Sequence, residues 1–421
     1  MTKLTHSTHA HSSMDFVRKK IFGETLSKKE IFSIISDIAS HHYSTIELTA
    51  FVVSCSRQNL SEKEILYLTQ AMIETGDCID WELPMVLDKH CIGGIPGNRT
   101  TLIVVPIIAA LGLHIPKTSS RAITSPAGTA DTMESIANVC LTLDEMKKIV
   151  CEEQACIAWG GALSLAPVDD IIISVERPLS LDSEGQMVAS ILSKKKAAGS
   201  THVLLDIPIG ATAKVTSMKE AHRLRSIFEK VGKKIGLKLK VVFTDGAQPV
   251  GRGIGPLLEV QDVWQVLRND PQAPQDLKEK SLFLAGELLE LSGYVKNMKK
   301  GQGVKIAREI LESGEALRKF EKIIAKQGAH KNHFPAKFAH DVLSPISGKV
   351  KSIHNKKIAY LARVSGAPKD MASGVLLFKK VGQPVRKGDV MFKIFSENKE
   401  ELQRAVSYLK ENPDTMCVKA S

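Results

Sequence analysis

Leu102-Ile103-Val104-Val105-Pro106-Ile107-Ile108-Ala109-Ala110-Leu111-Gly112-Leu113 is the longest apolar run in this 421-residue sequence, and the architecture turns on whether it spans a membrane or fills a core. A membrane span needs roughly 18 apolar residues. This run is shorter, and Pro106 interrupts it, so it is read as a helix buried in a protein core. On its N-terminal side lies Gly93-Gly94-Ile95-Pro96-Gly97-Asn98, a loop of turn formers. On its C-terminal side, Ile115-Pro116-Lys117 leads into Thr118-Ser119-Ser120-Arg121-Ala122-Ile123-Thr124-Ser125-Pro126-Ala127-Gly128-Thr129, a hydroxyl-rich loop ahead of another helix. Short apolar segments between helices recur at Ala155 to Trp159, Val203 to Ile207 and Lys240 to Phe243. This alternation predicts an α/β lobe over residues 81–169 and 199–331, with a largely parallel or mixed sheet.

The flanks read differently. Ser27-Lys-Lys-Glu30, Ser44-Thr-Ile-Glu47 and Ser61-Glu-Lys-Glu64 are capping-box patterns, each opening an apolar-periodic run, and Gly76 is a candidate C-cap after the third. With no strand signal, residues 15–80 are expected to form a helical lobe. Residues 170–198 rejoin it, because Asp182 to Lys196 is rich in helix formers. The expected architecture is α/β plus all-α, a small helical lobe and a larger α/β lobe separated by a cleft. From about Asn332, short segments such as Ser344 to Val350 and Val381 to Asp389 are broken by turn residues, which predicts a small α+β domain over residues 332–421. Residues 1–14 carry His6, His9 and His11 and are read as a flexible polar tail rather than a metal site.

Composition narrows the function. Hydrophobic residues at 43% and charged ones at 24% are ordinary for a globular chain. The formal net charge of +11 invites a nucleic-acid partner, but aromatics are only 5% and the lysines and arginines are scattered in runs such as Lys194-Lys195-Lys196. No recognised nucleic-acid module accompanies them, and an anionic small substrate accounts for the charge equally well. Seven cysteines without a CxxC, in a chain with no apolar leader or membrane span, are expected to be reduced thiols of a cytoplasmic protein. The sequence shows no metal-ligand spacing, and no cofactor or membrane partner is expected.

Three places carry candidate chemistry. Lys89 and His90 stand just before Gly93-Gly94, where the missing side chains let backbone N–H groups approach an anion. Neither a P-loop nor a GxGxxG pattern is present. Ser119, Ser120, Arg121, Thr124, Ser125 and Thr129 bring hydroxyls and a guanidinium together as a cradle for phosphate. Ser190 and Lys194 are four apart and share one face of a helix; a solvated face is the alternative. Gly210-Ala211-Thr212-Ala213-Lys214 is a further candidate anion-binding turn.

Taken in order, Lys89-His90 with Gly93-Gly94, the 119–129 loop and Ser190-Ile191-Leu192-Ser193-Lys194-Lys195 resemble the thymidine/pyrimidine-nucleoside phosphorylase family over nearly the whole chain from about residue 15. The resemblance implies two lobes, a homodimer, and phosphate as co-substrate in the cleavage of a nucleoside, with no metal. It implies that Lys89, Thr101, Ser119 and Thr129 bind phosphate and that His90, Arg177, Ser190 and Lys194 hold a pyrimidine base. Cys91 stands where thymidine phosphorylases have a phosphate-binding serine, and Arg177 lies nearer Ser190 than in the familiar bacterial enzymes. The sequence is also similar to the AMP phosphorylases at residues 93–98, 120–125 and 178–182. That likeness implies nucleotide binding by Gly94, by Ser120, Arg121, Ala122, Ile123, Thr124 and Ser125, and by Thr129, Ser190 and Lys214, with Asp182 as proton donor. Members of that branch normally carry a further N-terminal domain, which this sequence is not expected to have. Two other classes remain open, a magnesium-dependent phosphoribosyltransferase-like enzyme and a non-catalytic nucleotide-binding or growth-factor-like protein.

Overall fold

The computed structural model describes residues 13–56, 59–122, 125–163, 165–179, 181, 183–296, 298–330 and 335–420; of Asn98 and Arg177 it describes the backbone. Two compact units divide the chain. One comprises Met1–Asp80, Ser164–Gly199 and Ser226–Leu237, the other Trp81–Leu163, Ser200–Arg225 and Lys238–Ser421.

The first unit is helical. Ser27, Ser44 and Ser61 cap the helices Lys28–Ala39, Thr45–Ser54 and Glu62–Glu74, and Glu30, Glu47 and Glu64 reach back to the capping residue in each case. All three sequence patterns are therefore genuine caps, each contributing about 1 kcal/mol. The helix Lys28–Ala39 turns Ile31, Ile34, Ile35 and Ile38 inward against Phe51, Leu68 and Met72, and Val168 and Ile172 join the same core. The last two come from the helix Pro167–Leu179. Gly76 follows the helix Glu62–Glu74, but its small size serves close packing. A Cβ there would lie 2.6 Å from the carbonyl oxygen of Leu165.

The second unit carries two parallel sheets. In one, the strand His202–Ile209 lies between Leu87–Cys91 and Lys238–Asp245. In the other, Ile115–Ser119 pairs with Ala155–Trp159. The opening run folds as the helix Thr101–Ala110, continuous through Pro106, with residues 101–109 all buried. A helix apolar all round is the signature of a core element. It shares one core with Leu87, Leu204 and the helix Gln275–Ser292. Residues 335–420 add antiparallel strands, and one of their sheets takes in Gly253–Ile254, paired with Gly374–Leu377. That shared sheet explains why these residues group with the α/β elements rather than apart from them. No helix among the described residues is long and apolar enough to cross a membrane.

Candidate active site

In the first sheet of the α/β unit, one face changes character along the strands. Leu87 and Leu204 belong to the apolar core. Two to four residues further on, side chains of the same face are Lys89, Cys91, Asp206 and, on the third strand, Thr244, since alternate residues share a face. The carboxyl ends of parallel strands are where open α/β sheets place ligands. Lys89 is fully buried. Its Nζ donates to Thr100 Oγ1 at 2.6 Å and to Thr101 Oγ1 at 3.4 Å. Burial lowers its pKa and the Lys280 ammonium adds to that, against the pull of the Asp206 and Asp88 carboxylates. Asp206 accepts from Thr244 Oγ1 (2.5 Å), Lys280 Nζ (3.0 Å) and Cys91 Sγ (3.2 Å). Burial, with Asp206 adding to it, pushes the Cys91 thiol up to about 12, so it stays protonated and donates to the carboxylate.

The neighbouring elements are pinned to this edge. Asp88 pairs with Lys117 Nζ at 3.1 Å and so ties Leu87–Cys91 to Ile115–Ser119. The turn Asn98–Thr100 is held by Arg99, which is buried and ion-paired with Asp262 (2.8 Å) and Glu259 (3.3 Å). Two carboxylates share one guanidinium there. Burial raises the pKa of Glu259 to about 7, with Arg99 opposing the shift. Thr132 Oγ1 donates to Glu259 at 3.2 Å and links this network to the helix Thr129–Glu134.

The hydroxyl-rich loop is placed less simply. Ser119 ends its strand, Ser120 is exposed, and Ser125 and Thr129 are buried. Ser125 Oγ donates to the carbonyl of Ala127. Arg121 stacks over Trp159 at 4.6 Å and pairs with both Glu134 and Asp131. The N–H groups of Ala122 and Gly128 both point to Asp131 Oδ2, at 2.6 and 2.8 Å. Arg121 and these two amides are thus engaged by acidic residues of the loop's own helix. Gly128 allows this fold-back, because a Cβ would meet the carbonyl oxygen of Ser120 at 2.7 Å. Gly94 is left-handed, φ +97°, and its Cβ position faces the Cβ of Lys214 at 3.7 Å. Two residues far apart in sequence therefore meet. Ile123 and Thr124 lie outside the described residues.

In the helical unit, Ser183 caps the helix Glu184–Ala197, which carries Ser190 and Lys194 one turn apart. Lys194 Nζ is ion-paired with Asp169, which is buried in the helix Pro167–Leu179. Burial would lower the pKa of Lys194, but Asp169, Asp170 and Glu176 together outweigh it and the net shift is upward. Asp170 is raised by burial, against the pull of Lys194. Arg177 sits in the same helix, and its side chain is outside the described residues, as is Asp182. His90 is half-buried, with its side of the strand opposite to that of Lys89.

Thr100, Asp206, Lys280 and Asp169 went unnoticed in the sequence, and Thr244 stood out only as part of a special loop, Thr244-Asp245-Gly246, of unknown role. A single aspartate inside the apolar segment Val203 to Ile207 was the signal for Asp206. Lys280, among Asp276, Lys278 and Glu279, reads as an ordinary solvated helix residue. Among the described residues no group of three or more His, Cys, Asp and Glu is arranged to hold a metal.

Comparison with known proteins adds independent findings. Residues 83–317 match the glycosyl transferase family, a/b domain, residues 14–76 its helical bundle domain, and residues 349–415 the pyrimidine nucleoside phosphorylase C-terminal domain. A protein of Albidiferax ferrireducens is 53% identical over 397 residues, covering 93% of this chain and 76% of its own. One from Methylococcus capsulatus is 55% identical over 386 residues, covering 91% and 74%. A third, from Hahella chejuensis, is 50% identical over 411 residues, covering 98% and 81%. All three bear thymidine phosphorylase as a provisional name. Among solved structures, anthranilate phosphoribosyltransferase from Thermus thermophilus superposes with a TM-score of 0.60 at 19% identity, covering 74% of this chain and 99% of that one. The Saccharomyces cerevisiae enzyme, solved with PRPP and Mg, gives 0.60 at 16%, covering 76% and 99%. At such identity the likeness speaks for the fold alone.

Proposed function

The chain belongs to the pyrimidine nucleoside phosphorylase family of glycosyl transferases and is a pentosyl-transferring enzyme, and from that premise we propose that it is a thymidine phosphorylase. It would cleave thymidine with inorganic phosphate to thymine and 2-deoxy-α-D-ribose 1-phosphate, reversibly. The observation that carries the reading is Lys89, a fully buried ammonium held by two threonine hydroxyls at the carboxyl edge of a parallel sheet. A buried cation among hydroxyls is suited to a compact, doubly charged oxyanion.

In the proposed reaction a phosphate oxygen attacks C1′ as the glycosidic bond breaks, and the bonding electrons leave with the base. Lys89, with the hydroxyls of Thr101, Ser119 and Thr129, would fix the phosphate. Such positioning is worth roughly 7–11 kcal/mol of barrier in favourable cases. The departing pyrimidine carries negative charge on its ring oxygens, which Lys194, His90 and Arg177 would meet, with Ser190 hydrogen-bonding the base. The upward shift of Lys194 supports its share, because it keeps the ammonium charged at neutral pH. No metal or organic cofactor enters this scheme; phosphate is the co-substrate. A homodimer in the cytoplasm belongs to the same reading and rests on the resemblance alone.

One observation favours a second substrate. Gly94 and Lys214, both matched to nucleotide-binding positions of the AMP phosphorylases, stand against each other. Lys214 would then grip a 5′-phosphate, and Asp182 would protonate a leaving purine. Product analysis with thymidine, uridine, AMP and CMP, each with phosphate, decides between the two. In the nucleotide case Lys214→Ala raises KM for AMP by about tenfold or more and leaves thymidine unchanged. Thymidine cleavage without AMP cleavage supports the first reading, and phosphate-independent or absent cleavage of all four overturns both.

A further inference from the structure

We infer that Lys280 is a positioning residue that keeps Lys89 available to an anion by occupying the one carboxylate on Lys89's own face of the sheet; the inference rests on the reading that phosphate is a substrate. Lys89 and Cys91 share a face of the strand Leu87–Cys91, and Cys91 is in register with Asp206 on the next strand. Asp88, adjacent in sequence, belongs to the other face, where it pairs with Lys117 and accepts from Ser200. Asp206 is therefore the acid toward which the Lys89 side chain would otherwise turn. Three donors claim it instead. Lys280 Nζ stands 3.0 Å from Oδ2 and Cys91 Sγ 3.2 Å from the same oxygen. Lys280 also donates to Thr244 Oγ1 at 2.8 Å, and Thr244 in turn donates to Asp206 Oδ1 at 2.5 Å.

The result is a division of labour between two buried lysines. Lys280 neutralises Asp206, while Lys89 has hydroxyl partners and no ion pair among the described residues. Two ammonium groups facing one carboxylate leave a net positive charge on this edge, and that charge is presented on Lys89. Without Lys280, Asp206 would be a buried carboxylate lacking a cation, a costly state. The nearest relief is a contact between Asp206 and Lys89, which would cancel the charge offered to phosphate. Lys280 thus acts on the substrate through Asp206 and Lys89 and need not touch it.

The test measures steady-state constants and the phosphate-induced rise in melting temperature for the full chain and three variants. Lys280→Met keeps the aliphatic stem and removes the charge. It is expected to raise KM for phosphate about tenfold to a hundredfold, with KM for the nucleoside unchanged and the thermal shift by inorganic phosphate diminished in step. Asp206→Asn removes the competing carboxylate and leaves KM for phosphate at or below the wild-type value. Lys280→Met/Asp206→Asn, with no uncompensated buried charge, restores KM for phosphate to within about threefold of wild type. The double variant also keeps the test decisive if Lys280→Met alone does not fold. An unchanged phosphate KM in Lys280→Met, or a double variant as impaired as the single one, overturns the role of Lys280 and leaves the proposed function standing. A wild-type chain with neither phosphate-dependent cleavage nor a phosphate-induced thermal shift overturns both.

Discussion

Two lysines, one in each unit, show how the same side chain is given opposite surroundings. Lys89 in the α/β unit is fully buried, has threonine hydroxyls as its partners, and has its pKa lowered by burial. Lys194 in the helical unit is ion-paired with the buried Asp169, and its pKa is raised in spite of burial. The first carries a charge that its protein neighbours leave largely uncompensated, which suits a ligand that arrives and departs as an anion. The second is a fixed, internally balanced cation, suited to hydrogen-bonding a neutral base and stabilising charge that develops on it as the bond breaks. The contrast lies in the placing of carboxylates: Asp169 is given to Lys194, whereas Asp206 is withheld from Lys89 by Lys280.

The largest effect that can break this contrast comes from removing each charge in turn. Lys89→Met is expected to lower kcat/KM about 10²- to 10³-fold, the range for losing one preorganised donor to transition-state charge. It is also expected to raise the melting temperature of the ligand-free protein at neutral pH. A lysine whose folded pKa is lowered opposes folding at every pH below its unfolded value, and deleting it removes that opposition. Lys194→Met is expected to lower activity through KM for the nucleoside and to leave the phosphate-induced thermal shift intact. Melting curves with and without phosphate, beside initial rates, check both. A Lys89→Met protein that melts lower than wild type would count against an uncompensated ammonium.

A smaller effect separates the two residues by pH. Because burial lowers the pKa of Lys89, its proton is lost at a pH below the ordinary lysine value of 10.5. KM for phosphate should therefore climb on the alkaline side before that point is reached, while KM for the nucleoside stays level, since Lys194 is shifted the other way. The stability of the ligand-free protein should rise over the same alkaline interval, as the neutral form that burial prefers becomes accessible. Two KM profiles that turned upward together would mean that a single group governs both substrates.

How much of this was legible in sequence follows from the range of each interaction. The helical unit announces itself locally. Ser27, Ser44 and Ser61 meet their glutamates three residues on, and all three helices begin where those pairs stand. Ser190 and Lys194 share a helix face because their spacing equals one turn. The edge strands were harder to see. Leu87–Cys91 contains Asp88, Lys89 and His90, and so many polar residues conceal a strand that is nonetheless almost wholly buried. Arg121 read as a phosphate ligand because sequence shows its hydroxyl neighbours and hides Trp159 and Glu134, which hold it. Lys280 was invisible for the same reason, as its partners Asp206 and Thr244 lie 74 and 36 residues away. Sequence patterns report contacts within a turn or two of chain, whereas the network around Lys89 and Asp206 draws on six elements.

The smallest expected effect concerns Cys91, at the position where the resemblance places a phosphate-binding serine. A thiol is a weak donor, which by itself would suggest a defective pocket. The structure gives the Cys91 hydrogen to Asp206, and burial holds the thiol protonated up to about 12. Cys91 thereby joins Lys280 and Thr244 in satisfying the carboxylate. Cys91→Ser exchanges one donor to Asp206 for a stronger one, so KM for phosphate is expected to change by less than about fivefold, the scale of one neutral hydrogen bond. For the same reason Cys91 should resist alkylation in the folded protein, along with the buried Cys55 and Cys156, while the exposed Cys140 and Cys151 are modified first. Peptide mapping after brief treatment with iodoacetamide checks this order. A rapid reaction at Cys91, or a much tighter phosphate KM in Cys91→Ser, would mean that the side chain faces the phosphate itself, and Asp206 would then be left with Lys280 and Thr244 alone.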